Sequence, residues 1–322
     1  MSDTPISQDG QTEKKRAINR GDMTKWQWTL REMRVNKVGY FMVAPFFLLF
    51  AVFTVLPIIL SLFFSLTIFN MLEFPKFIFL DNYIRLLLDD DVFLTAIRNT
   101  FVFAVVTGPI SYLLSFMMAW FINELSPKMR AFVTLIFYAP SISGQVYMIW
   151  QVIFSSDQYG YANSLLLRFN FIQTPILWFQ DEKYVMGLCI VVALWLSLGT
   201  SFLAFIAGLQ VVDRSYYEAG AVDGIRNRWQ ELWYVTLPLM KDQLMFGAVM
   251  TITGSFGFGV VVTNLAGMPS INYAAHTIMH HLDDFGNARF EMGYASAIAT
   301  LLFCLMVGAN LLVNRLLSKV GT

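Results

Sequence analysis

The sequence predicts an all-α membrane protein of six transmembrane helices with both termini on the cytoplasmic side. Three observations predict it. Apolar residues make up 57% of the chain and charged residues only 14%, against about half and about a quarter in soluble domains. Six windows lack Asp, Glu, Lys and Arg altogether, at 38–72, 99–123, 131–156, 184–212, 243–282 and 292–314, and each can hold a span of about 20 residues. Of the 22 Lys and Arg, sixteen fall in the segments that six spans place on one side.

Taken in order, residues 1–20 are polar and are expected to be disordered. The stretch "KWQWTLREMRVNKVGY" sets Trp26, Trp28, Leu30 and Met33 among basic residues and reads as an interfacial helix leading into the first span. Residues 1–37 thus form a tail, and the apolar run that follows is far longer than a signal-peptide core of about 7–15 residues, so a retained span is expected. The windows 38–72 and 243–282 tempt a count of two spans each, but two helices and a turn need more than about 40 residues. The expected spans are 39–66, 99–123, 131–155, 184–210, 243–265 and 292–315, within one membrane domain covering 38–322. Between them lie an amphipathic patch, "KFIFLDNYIRLLLDDDVF", a 157–183 loop with a helical turn or two, and a polar 211–242 loop. No internal repeat or low-complexity tract is present.

Orientation follows from the basic residues. One side holds Lys14, Lys15, Arg16, Arg20, Lys25, Arg31, Arg34, Lys37, Lys128, Arg130, Arg214, Arg226, Arg228, Lys241, Arg315 and Lys319; the other holds Lys76, Arg85, Arg98, Arg168, Lys183 and Arg289. The first side is the cytoplasmic one. Zero net charge gives a nucleic-acid partner no electrostatic support. Cys189 and Cys304 both lie inside apolar runs, which does not indicate a disulfide framework. The absence of Asp, Glu, Lys and Arg from all six windows argues against an ion-coupled secondary transporter, since such groups mark proton and ion relays. No acid, base and nucleophile cluster on one side as an enzyme would need.

The 211–242 loop contains "YYEAGAVDGIRNRWQELWYVTLP", residues 216–238. Ser215 and Glu218 have capping-box spacing, which starts a helix at about Tyr216. Gly224 ends it, because only glycine enters the left-handed cap without strain. A second helix can begin after Asn227 as N-cap, with Trp229, Leu232 and Trp233 along one face. Pro238 is expected to push Leu237 out of helical geometry. The product is a helix, a sharp turn and a second helix, tied at both ends to membrane spans.

"EAGAVDG" followed by "LP" resembles the EAA loop of ABC importer permeases. The stretches "NKVGYFMVAPFFLLFAVFTVLPIILSLFFS", "LDNYIRLLLDDDVFLTAIRNT", "AFIAGLQVVDRSYYEAGAVDG" and "MGYASAIATLLF" are similar to sugar permeases of the maltose type, from Lys37 onward. Gly220 stands where the family pattern has its second Ala, Ile225 replaces the Ala after Asp-Gly, and the spacing to Leu-Pro is one residue longer. The resemblance implies the type I permease fold, in which this loop carries the coupling helix that docks on a cytoplasmic ATPase. Tyr217, Glu218, Ala219 and Gly220 then belong to the contact face, Glu218 meeting a basic group. Asp223 and Gly224 make the turn, and Leu237 and Pro238 re-enter the membrane. The chain has no G-x-x-x-x-G-K-[ST] run, nor any Gly-Lys pair. The resemblance therefore implies that ATP and magnesium bind a separate ATPase present in two copies. It also implies a second permease subunit, an extracytoplasmic solute-binding protein, a sugar or oligosaccharide substrate, and residence in the bacterial inner membrane.

With the windows free of charge, candidate solute contacts are uncharged polar and aromatic groups. These are Ser143, Gln145, Tyr147 and Trp150 in the third span, Trp195, Ser197 and Thr200 in the fourth, and Thr251, Thr253, Ser255 and Phe258 in the fifth. Hydroxyls and amides bond sugar hydroxyls while ring faces cover sugar C–H faces. By the resemblance, Ser143, Ser197, Thr200, Ser255 and Phe258 fall near the sugar site. Ser and Thr also serve simply to pack membrane helices, and a different neutral or zwitterionic solute, or a membrane scaffold, stays open. Glycines in "TGSFGFG" weaken the fifth span, as in helices broken beside a cavity. His276, His280 and His281 sit together in "AAHTIMHHLDD", where a structural role competes with zinc binding or pH sensing.

Overall fold

The computed structural model describes residues 25–144 and 146–317. Gln145 lies outside the described residues, as do residues 1–24 and 318–322. Contacts divide the chain into two units, Met1–Leu60 and Ser61–Thr322. The first contains α1 (Lys25–Val35), a helix where the sequence expects one, and most of α2, which runs Lys37–Phe64 across the boundary. None of the side chains of Lys37–Phe50 is buried.

The second unit is helical apart from a two-stranded antiparallel ribbon in which Thr67 faces Phe77 and Ile68 faces Lys76. This ribbon corrects the all-α expectation locally. Its α-helices of six or more residues, after α2, are α3 (Asp91–Asn123), α4 (Pro127–Ile142), α5 (Tyr147–Ile153), α6 (Tyr161–Arg168), α7 (Glu182–Leu196), α8 (Thr200–Val211), α9 (Arg214–Val222), α10 (Lys241–Phe256), α11 (Gly259–Ala266), α12 (Ile278–Asp283) and α13 (Met292–Leu317); shorter ones include Arg228–Glu231. Among the described residues, four stretches are long and apolar enough to cross a membrane: Lys37–Phe64, Asp91–Asn123, Glu182–Val211 and Met292–Leu316. The count becomes six if the bent pairs α4/α5 and α10/α11, angled at 86° and 40°, each form one span. The second bend falls in the glycine-rich "TGSFGFG" stretch, where the sequence weakens the helix.

α3, α8 and α10 pack on one another, and α13 packs on α10. Their buried side chains form three clusters along the bundle. One, around Phe116, Trp120, Phe202, Phe205 and Met240, lies at the end carrying the 211–242 loop and takes in Leu232 from that loop. A middle cluster joins Phe103 to Val185, Val192 and Val262. The third, around Leu86, Phe93, Ile278, Phe285 and Tyr294, binds α3 to α12 and α13.

Two prolines reveal a shared device. Pro57 and Pro238 each follow a helical stretch widened to π geometry, Ala51–Val55 and Leu232–Thr236 respectively. A proline ring collides with the carbonyl four residues back in a regular helix, and the wider turn gives it room. Leu237 is therefore helical, at φ −60° and ψ −45°. This corrects the expectation that Pro238 drives it out of the helix, and continuous helix leads from Trp229 towards α10.

Candidate functional site

The 213–240 segment forms a compact elbow. Asp213 caps α9, its carboxylate accepting from the Ser215 amide at 2.9 Å, so the cap lies two residues before the expected Ser215. That bond, with the Ser215 side chain, lowers the Asp213 pKa. At the other end of α9 the Ile225 amide donates to the Gly220 carbonyl at 3.0 Å and the Gly224 amide to the Ala221 carbonyl at 3.3 Å. This is the paired-bond helix stop that needs a left-handed residue, and Gly224 supplies it at φ +98°. Asn227 then caps the second helix, accepting from the Gln230 amide at 2.9 Å.

Two of the three departures from the family pattern, Gly220 and Ile225, turn out to be one feature. A Cβ on Gly220 would lie 2.9 Å from Ile225 Cδ1 and 3.3 Å from Val235 Cγ2. Ile225 fills the space that Gly220 leaves empty, closing the helix stop with an apolar contact. Behind it, the Tyr217 and Thr236 hydroxyls hydrogen-bond at 3.0 Å and join the two arms. Gly220 is thus buried and Tyr217 half-buried on the inner face of α9. Tyr216, Glu218, Ala219, Val222 and Asp223 are exposed, and Glu218 lines, with Arg214 and Tyr217, the open cavity between α9 and α3. The Glu218 side chain is 71% exposed, with Arg214 3.5 Å away. Leu237 is half-buried and Pro238 exposed. Of the expected aromatic face only Leu232 is buried; Trp229 and Trp233 are exposed.

Sequence reasoning missed a further contact. Glu124 caps the end of α3, and Arg228 bonds it at 2.8 Å through one guanidinium nitrogen while the other holds Glu231 at 2.7 Å. The Glu231 bond is the main cause raising the Arg228 pKa. An acid at a helix C-terminus opposes the helix dipole; that misplaced acid was the available sign that a cation had to arrive.

The candidate solute residues divide. A cavity of about 320 Å³ lies where α4, α5, α7, α10 and α11 meet, lined by Ser141, Ser143, Tyr147, Leu196, Phe258 and Val261 among others. No Asp, Glu, Lys or Arg lines it. Trp195 and Trp150 stand edge to face at 5.4 Å. Ser197 returns its hydroxyl to the Leu194 carbonyl at 2.6 Å, at the break between α7 and α8, and Thr200 is exposed at the start of α8. Ser255 is buried with its hydroxyl on the Ile252 carbonyl at 2.7 Å. It lines a separate apolar groove with Gly108 and Tyr112. Thr251 bonds Ser201 at 3.0 Å, and Thr253 accepts from Asn310 at 3.3 Å.

At the opposite end of the bundle from the elbow, the three histidines are buried together. His280 Nδ1 lies 2.8 Å from the Thr277 hydroxyl and Nε2 lies 3.0 Å from the Thr263 hydroxyl. The Thr263 hydroxyl in turn donates to the Gly259 carbonyl at 3.1 Å. That order fits a neutral imidazole protonated on Nε2. Burial lowers the pKa of His276 and of His280 to about 4, and the neighbouring histidines add to the effect at His276. His281 Nε2 is 3.0 Å from Asp90. Burial outweighs the pull of Asp90 and lowers the His281 pKa, so the contact is a hydrogen bond from a neutral ring and not an ion pair. Asp90 also accepts from the Phe93 amide at 2.9 Å, capping α3, and from the Tyr294 hydroxyl at 2.8 Å. Burial alone would raise the Asp90 pKa; these three donors together leave it lowered. Among the described residues no group of three His, Cys, Asp or Glu side chains is arranged to hold a metal.

Residues 111–321 match the family described as "Binding-protein-dependent transport system inner membrane component". The chain is 33% identical over 279 residues to the "Probable ABC transporter permease protein YesP" of Bacillus subtilis, covering 84% of this chain and 87% of that one. It is 34% identical over 224 residues to the "Lactose transport system permease protein LacF" of Rhizobium radiobacter, covering 68% and 72% respectively. In fold it is similar to a chain of a bacterial ABC transporter involved in the import of the acidic polysaccharide alginate. The TM-score is 0.72 at 21% identity, over 91% of this chain and 99% of that one.

Proposed function

Since the chain belongs to the family of binding-protein-dependent transport system inner membrane components, as the permease subunit of a carbohydrate ABC importer and no enzyme, we propose that it couples transport to a separate ATPase through the 213–240 elbow. Six spans, with both termini and the elbow on the cytoplasmic side of the bacterial inner membrane, provide half of a path completed by a second permease subunit. An extracytoplasmic binding protein delivers the solute. Two ATPase subunits bind ATP and magnesium. Their closure moves the elbow and, through it, opens the path outward; hydrolysis resets it.

The observation that carries this reading is the exposed surface of α9. It presents Tyr216, Val222 and the Glu218 carboxylate to solvent, on a rod stiffened by caps at both ends. Exposed apolar side chains beside a solvated charge are what a protein partner recognises. Glu218→Lys, which sets a cation against Arg214, is expected to abolish co-purification of the ATPase and to cut solute uptake more than tenfold. If both survive, Glu218 has no such role.

For the solute we favour a neutral sugar or oligosaccharide. The 320 Å³ cavity offers hydroxyls and rings without a formal charge, near the lower end of small-molecule sites. Competition of labelled lactose uptake by unlabelled neutral glycans, uronates and amino acids tests this choice. Competition by neutral glycans supports it; competition by uronates or amino acids alone contradicts it.

A further inference from the structure

We infer that the elbow moves as one body with the end of α3, held by a two-point latch of Arg228 on Glu124 and Trp229 on Trp120. This rests on the coupling reading above and adds a third helix to the two that the chain connects directly.

The geometry makes the latch specific. Trp120 and Glu124 are four residues apart and so lie on one face of α3, a turn apart. Arg228 and Trp229 are adjacent at the start of the elbow's second helix. The Trp120 and Trp229 rings stand 5.1 Å apart at 50°, and Trp120 is buried in the same cluster as Phe205 and Leu232. The guanidinium spans two elements at once, with Glu124 on α3 at 2.8 Å and Glu231 on the elbow at 2.7 Å. Such a fork suits arginine and not lysine, whose ammonium is a point charge.

An exposed ion pair alone stabilises little. Here the cation also offsets an acid lying at the negative end of a 33-residue helix, and the ring contact, tilted at 50°, gives the elbow a second point of attachment that opposes pivoting about the pair. Beside the latch, between α3, the α8 end and α9, lies an open cavity of about 660 Å³ containing Asn123, Arg130, Gln210 and Tyr217. With this space at its side, the elbow meets α3 at the latch and, behind it, through Leu232 in the cluster that holds Trp120. A push on α9 therefore reaches α3 through Arg228 and Trp229.

The test uses the assembled importer in lipid, with nitroxide labels at Leu125, just past α3, and at Tyr234, an exposed elbow position. Their separation is measured by pulsed electron resonance without nucleotide and after trapping with ATP and vanadate. The latch predicts that it changes by less than about 2 Å, the scale of ordinary helix adjustment, and not by the roughly 5 Å of a one-turn slip. Arg228→Ala combined with Trp229→Ala is expected to broaden the distribution and let it shift between states. Arg228→Lys with Trp229→Phe, which keeps a cation and a ring, is expected to restore part of the narrow distribution. A change of about 5 Å in the unsubstituted complex overturns the inference, as does a double alanine variant that still assembles and keeps the narrow distribution. Glu218→Lys tests the coupling reading separately, so elbow and α3 parting in a complex that assembles normally counts only against the latch.

Discussion

The elbow and the histidine layer hold helix ends in opposite ways. In the elbow the polar groups are solvated: Arg214 and Glu218 side chains are 91% and 71% exposed, and caps reach only two or three residues along the chain. In the histidine layer His276, His280 and His281 are 2%, 1% and 3% exposed. His280 bonds Thr277 and Thr263, and His281 reaches Asp90, 191 residues before it. A solvated polar group left without its partner turns to water at small cost, whereas a buried one bears its full desolvation. The elbow is thus free to exchange partners with another protein, and the layer is built to stay shut.

That contrast fixes the order of expected effects. Asp90→Ala removes the α3 cap and strands His281 and Tyr294 in the interior, so it should cost about 3 kcal/mol, seen as a lower melting temperature of the purified protein. Asp90→Asn, still able to accept from Phe93, should cost less. Equal, small losses from both would mean that the layer is wetter than its burial indicates.

Acid comes next. Because His276 and His280 have folded pKa values of about 4 against about 6.5 unfolded, the unfolded chain binds more protons between these limits. Stability should be flat above pH 6.5 and fall as the pH drops towards 4, by about 2 kcal/mol per histidine at pH 5. Over that interval the lowered pKa of Asp213 keeps the α9 cap ionised. Melting curves at pH 7 and pH 5 should therefore shift, while ATPase association through the elbow persists. A stability that rises on acidification would contradict the buried neutral assignment.

Within the elbow the largest change should be steric. Gly220→Ala brings a methyl group against Ile225 and should destabilise by about 1 kcal/mol, the scale of modest overpacking. Adding Ile225→Ala should relieve the strain. A double-mutant cycle measured by thermal unfolding checks it; additive losses would deny that the pair is complementary. The smallest effect belongs to Arg214→Ala, where loss of an exposed 3.5 Å pair should change stability by less than about 0.5 kcal/mol.

What was legible in the sequence follows the same division. Gly224 as helix stop and Asn227 as cap act on amides within a few residues, so their positions alone announced them. Charge-free windows likewise marked the apolar helices. Asp90 gave no such signal, because one of three consecutive acids becomes a cap only when His281 and Tyr294 arrive from the other end of the chain. Ser255 and Phe258 look alike as candidates three residues apart, yet the bend between α10 and α11 turns Phe258 to the cavity and leaves Ser255 against α3. Leu237 was misjudged because the wider turn ahead of Pro238 has no marker in composition. Glu124 and Arg228 were each visible as charges, but their meeting depends on how α3 ends beside the elbow.

The central claim is that the exposed surface of α9 is where the ATPase acts. Replacing Tyr216 with a photo-crosslinking residue in the assembled importer tests it most directly. The account predicts a covalent adduct with the ATPase on illumination, and protection of the same position from membrane-impermeant reagents applied outside the cell. Labelling of position 216 from outside, or an ATPase that co-purifies without forming the adduct, would contradict it.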